Sequence, residues 1–121
     1  MKKILLLVML ALFSFSATVS ANPLNPTPRT DTFNVGAIAQ GGNHILYLDV
    51  WAFYNTSMVV QVLKEGPAGQ WTSVYYYPKN LDASTYTSYT LNVGHLTPGN
   101  YKITVDFSNL AYVENYGFTR S

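Results

Sequence analysis

The chain has 121 residues, of which 48% are apolar, 15% aromatic and only 11% charged, a balance that fills a core and excludes a disordered chain. It contains no cysteine, which excludes disulfide staples, thiolate metal sites and a cysteine nucleophile. Outside the first few residues, Arg29, Lys64, Lys79, Lys102 and Arg120 stand against Asp31, Asp49, Glu65, Asp82, Asp106 and Glu114, a near-neutral set with no electrostatic footprint for nucleic acid.

Lys2 and Lys3 open the chain, an almost unbroken apolar run follows over positions 4–15, and Val19-Ser20-Ala21 supplies the small residues that a signal peptidase reads. Residues 1–21 therefore read as a cleaved signal peptide, since the apolar run is too short for the roughly 20 residues that span a bilayer. Nothing later is apolar and long enough to stop transfer, so the mature chain is expected in the periplasm or outside the cell, with no membrane span. Positions 22–29 carry Pro23, Pro26 and Pro28 in a polar tract and are expected to form an extended arm, leaving 30–121 as the domain.

From there the apolar residues recur with period 2, and no window sustains a period of 3.6, so strands are expected and essentially no helix. The first strand is expected over 32–37, ending at the Gly41-Gly42-Asn43 turn. Over 44–54 the alternation is clear: Leu46, Leu48, Val50 and Ala52 share one face, and Tyr47, Asp49, Trp51 and Phe53 the other. An unpaired buried carboxylate costs several kcal/mol, so Asp49 assigns the Leu46 face to the core. The third strand, over 57–63, opposes Val60 and Val62 to Val59 and Leu63, and its inward face is open from pattern alone. A glycine and proline loop at 65–69 precedes a strand over 71–77, and a polar connection over 78–84 leads to one over 85–93 with Tyr89, Leu91 and Val93 inward. Tyr101, Ile103, Val105 and Phe107 alternate inward over 101–107, and a last strand over 112–120 places Tyr116 and Phe118 on one side. Seven short strands separated by turn chemistry predict an all-β, antiparallel sandwich, with a small closed barrel as the alternative.

The run Leu96-Thr97-Pro98-Gly99-Asn100-Tyr101 resembles the corner at which the sixth strand begins in immunoglobulin-like and fibronectin-type domains. The resemblance implies that Tyr101 bonds back to upstream backbone, that Leu96 plugs the turn beneath it and that Gly99 accepts the turn's backbone angles. Over about 90 residues, the closing Tyr116-Gly117-Phe118 included, the chain also resembles small secreted bacterial immunoglobulin-like proteins of a domain family of unknown function. It departs from antibody domains in lacking the inter-sheet cysteine pair and a tryptophan on the third strand. The resemblance implies a seven-stranded immunoglobulin-like β-sandwich and no activity.

Reactive groups are scarce. His44 at a strand start and His95 in a turn have no metal-binding spacing and read as solvated loop-edge residues. Ser73, Ser84 and Ser88 sit in no nucleophile elbow, and Asp49 and Asp106 lie on outward faces. Asn80-Leu81-Asp82 is a thin calcium loop that reads better as a turn, and Asn55-Thr56-Ser57 is an ordinary turn that fits a glycosylation pattern. No enzyme, metal or cofactor is expected.

The surplus is aromatic. All ten tyrosines, both tryptophans and four of the six phenylalanines follow the leader. Tyr47, Trp51 and Phe53 fall on a face read as outward, with either Tyr75 and Tyr77 or Tyr76 beside them. Flat rings in that position stack on sugars or anchor a protein partner, and the same rings also form cross-strand ladders in ordinary sheets. The expectation is a non-enzymatic binding or adhesion module that engages a protein or cell-surface partner, with Trp51, Tyr47, Phe53, Tyr75 and Tyr77 as candidate binding residues and strand edges open to strand addition. A carbohydrate-binding domain using the same platform is the alternative.

Overall fold

The computed structural model describes residues 26–121, so the expected signal peptide and the first part of the proline arm lie outside the described residues. Seven strands follow in chain order: β1 (Arg29–Ile38), β2 (Gly42–Ala52), β3 (Thr56–Glu65), β4 (Trp71–Leu81), β5 (Thr85–Leu96), β6 (Gly99–Phe107) and β7 (Ala111–Arg120). They pair antiparallel in two sheets, of four strands in the order β1-β6-β3-β4 and of three in the order β5-β2-β7. There is no closed barrel, and no helix among the described residues. The fold is the expected seven-stranded sandwich. In the constant-type immunoglobulin arrangement strands one, two, five and four form one sheet and three, six and seven the other. Here the central pairs β2–β5 and β3–β6 keep their places, the first and last strands have exchanged sheets, and β4 has joined β3.

Period-2 alternation builds the core. Leu46, Leu48, Val50 and Ala52 of β2 face Met58, Val60 and Val62 of β3 and Ile103, Val105 and Phe107 of β6, all essentially without exposed surface. The face of β3 left open by pattern is thereby settled, with Val60 and Val62 inward. Methylene-rich side chains buried this completely contribute roughly 1.5–3 kcal/mol each, which is how a domain without disulfides holds together.

Several expectations are corrected. The proline arm ends one residue early, because Arg29 already pairs with Phe107, and the Thr27 amide donates to Asn109 Oδ1 at 3.2 Å. Pro78 does not end the fourth strand. It sits opposite Val59 inside β4, which is tolerated because β4 is an edge strand whose other side needs no N–H from this position. His44 is not a solvated loop residue: it is 4% exposed, its Nδ1 lies 2.8 Å from the Gly42 carbonyl, and its ring stacks on Phe118 at 5.2 Å. Its even number places it on the Leu46 side of β2, and the pleat carries it inward.

Candidate functional site

At the corner leading into β6, the Tyr101 hydroxyl donates to the Thr97 carbonyl at 2.5 Å, with Tyr101 and Leu96 buried and Gly99 opening the strand at φ 156°. Here the buried tyrosine bridges the turn from inside and ties its backbone to the start of β6.

The candidate site is the outer face of the three-stranded sheet. On β2, Tyr47, Asp49 and Trp51 point away from the core, and register places Trp51 between Tyr86 of β5 and Tyr112 of β7. The Trp51 ring lies 5.0 Å from that of Tyr86 and 6.2 Å from that of Phe53, and Phe53 lies 5.8 Å from Tyr112. Arg29 closes the row, its guanidinium carbon 5.8 Å above the Tyr112 ring. Four rings thus form one continuous patch, with Phe53 and Tyr86 each nearly half exposed. The Phe53 amide is held by the Leu110 carbonyl at 3.2 Å, which fixes the ring just beyond the end of β2.

Beside the rings lies a polar strip. Ser88 Oγ donates to Asp49 Oδ1 at 2.6 Å, and Asn115 Nδ2 approaches Asp49 Oδ2 at 3.5 Å. Partial desolvation against the neighbouring rings, then the Asp49 and Glu114 carboxylates, push the Tyr86 hydroxyl above the ordinary tyrosine value, so it stays a neutral donor across the physiological range. Tyr47 stands on the far side of Asp49, packed over Gly117 with Asp49 and Asn115 beside it, and the dimple between them has about 80 Å³.

The candidate residues therefore divide. Trp51 and Phe53 come together, Tyr47 shares their face at a distance, and Tyr75 and Tyr77 do not join them. Register with β3 sets Tyr75 opposite Val62 and Tyr77 opposite Val60, so both turn inward on the other sheet and pack against the core, while Tyr76, 61% exposed, is the outward ring of that strand. Tyr86 and Tyr112 complete the patch and were not singled out from sequence. The outward position of Tyr86 follows from the inward alternation of Tyr89, Leu91 and Val93, but only cross-strand register brings it beside Trp51. Among the described residues, no three His, Cys, Asp or Glu side chains gather as a metal site, and no helix is long and apolar enough to cross a membrane. Comparison with family models, with curated proteins and with solved structures finds no match to this chain.

Proposed function

We propose that this chain is an exported, non-enzymatic binding module that engages a protein partner through the outer face of the β5-β2-β7 sheet. The observation that carries the reading is the contiguous patch of Trp51, Phe53, Tyr86 and Tyr112 on an exposed sheet face. Patches of this kind are uncommon on surfaces that meet only water, and tryptophan and tyrosine supply contact area at low entropic cost. Trp51 and Phe53 lie nearly parallel, but Tyr86 and Tyr112 tilt away from them by 44° and 30° and the four rings spread across the sheet, where a sugar site would frame a groove with polar groups converging on it. The polar strip of Ser88, Asp49 and Asn115 forms the rim that such an aromatic centre takes in a protein interface.

The test is site-specific photo-crosslinking in the producing cells. A photoreactive side chain at position 53 is expected to give a discrete protein adduct that Trp51→Ala or Tyr86→Ala reduces at least tenfold, whereas the same group at position 104, on the opposite sheet, gives none. Equal adducts from both positions, or none from either, would break the reading. Retention on immobilised glycans that is lost in folded Trp51→Ala would replace the protein partner by a carbohydrate.

A further inference from the structure

The two sheets are unequal, and the difference falls entirely on one side of the sandwich. On one side the edge strands β1 and β7 meet: Asp31 Oδ2 accepts the Val113 amide at 2.8 Å, and the Phe33 and Tyr116 rings lie 4.3 Å apart. With that side flush, four strands over three leave β4 overhanging the opposite side, beyond β5. The burial pattern agrees: the inward-turned Tyr75 and Tyr77 are only partly covered, Val74 is 42% exposed, and Thr87, on the inward face of β5 opposite Val50, is exposed as well. Tyr77 meets Tyr89 edge-on at 6.4 Å, so the rings floor the gap without filling it. At one end the gap opens into a groove of about 720 Å³ between Thr72 and Val74 of β4 and Pro98 and Gly99 of the β5–β6 turn.

The wall of this slot is the free edge of β5. Among the four edge strands the other three are blunted: β1 carries Arg29 and Asp31, β7 carries Glu114, Arg120 and a register shift, and β4 carries Pro78, Lys79 and a register shift. β5 has no proline, lysine, arginine, aspartate or glutamate, and Thr85 to Asn92 run in unbroken register with β2. Its outer backbone groups form a ready template for one more strand.

We propose that the slot receives a single extended, uncharged segment of a partner protein, about eight residues long, which pairs with β5 as the fourth strand of the smaller sheet. Alternate apolar side chains of the segment lie on Tyr75 and Tyr77, and the others continue the outer face next to Tyr86. The charges at the groove decide the chemistry of the occupant. The charged residues stand at the two ends, Lys64 and Glu65 at the groove and Lys79, opposite Met58 in register, at the other, while the middle offers only the Tyr75 and Tyr77 rings and a β5 strand without a charged residue, so a charge laid there finds no counterion and an uncharged stretch fits it. A second copy is excluded as occupant by geometry: pairing β5 with β5 through a two-fold axis brings the two overhanging β4 strands into the same space. The chain's own arm is excluded too, because Thr27 is tied to Asn109 and Pro26 and Pro28 offer no ladder donor.

The inference rests on the binding-module reading, and its test separates the two. The probe is an acetylated, amidated octapeptide alternating valine with threonine or serine, titrated into the folded protein and followed by amide NMR, with a peptide of the same length carrying proline at alternate positions as control. The expected result is a shift and slowed exchange confined to the β5 amides and the Tyr75 and Tyr77 rings, absent with the proline peptide. Thr87→Lys and Thr87→Glu, which place a charge in the slot at an exposed position, are expected to weaken binding at least tenfold, while Thr87→Ser and Trp51→Ala leave it unchanged. No response at millimolar peptide, a response indifferent to both Thr87 charges, or one centred on Trp51 would overturn the slot. The cross-link at position 53 stands or falls separately.

Discussion

The two sides of the sandwich solve the same problem in opposite ways. Along the β1–β7 side, strands of different sheets are drawn together by a carboxylate that crosses from one to the other and by two rings in contact, and the backbone that an edge would expose finds a partner within the molecule. Along the β4–β5 side the Tyr77 and Tyr89 rings meet edge-on across the gap, and one strand overhangs the other. Edge protection is thus a property of each edge and not of the fold, and an edge left bare beside three that are guarded is where one more strand has room to pair.

This contrast is open to direct attack. The largest effect is expected from Phe33→Ala on the closed side. It removes the ring beneath Tyr116 and should cost about 2–3 kcal/mol in urea unfolding, below the roughly 3–5 kcal/mol of a fully buried phenylalanine because Phe33 keeps some exposure. Asp31→Ala comes next, at about 1–3 kcal/mol, since it leaves the Val113 amide without its acceptor and frees Arg29, which it holds at 2.7 Å. If both substitutions are silent in denaturant titrations, the closed side is no seal.

On the open side the expected effect is an alkaline one. Burial pushes the Tyr75 and Tyr89 hydroxyls above the ordinary tyrosine value, the hydrogen bond with Thr87 offsets part of the rise at Tyr89, and the neighbouring Tyr77 adds to both. A tyrosine whose folded pKa is raised contributes stability that is fully present below its unfolded value of about 10 and is lost as pH rises through the folded value. Melting temperature should therefore hold through neutral pH and fall above about pH 10, and Tyr89→Phe should flatten that fall. The smallest effect belongs to Thr87→Ala, within about 0.5 kcal/mol of the parent, because the side chain is exposed at the gap and gives up only its hydrogen bond with Tyr89. A loss comparable to that of Phe33→Ala would mean that the gap is packed.

Much of this architecture is legible in the residues, and the reason is local. In β2 and β6 each apolar side chain two positions on repeats the same choice, and one carboxylate on each strand, Asp49 or Asp106, fixes which face is wet. Position 44 obeys the same rule, yet a histidine at a strand start invites a solvated reading, and only the Gly42 carbonyl and the Phe118 ring show how its polar and flat surfaces are both satisfied indoors. Tyr75, Tyr76 and Tyr77 defeat pattern for a different reason. Three like residues in succession carry no alternation, so their faces are set by the partner strand, through Val62 and Val60, which lies more than ten residues away in sequence. The aromatic patch is half legible on the same grounds: Trp51 and Phe53 share a strand, while Tyr86 and Tyr112 reach them only through pairing. Which strands become edges is a matter of topology, and nothing local announces it.

The direction of the first and last strands has a mechanical consequence. Arg29 begins β1 beside Phe107, at one end of the sandwich, and Arg120 finishes β7 beside His44, at the other, so the two strands run in the same direction. Tension applied between those two residues acts along both strands and slides each lengthwise past its neighbour, so that the ladders β1–β6 and β2–β7 share the load across all their rungs at once instead of opening one rung at a time. A module anchored at one end and held by a partner at the other would meet drag with its strongest direction.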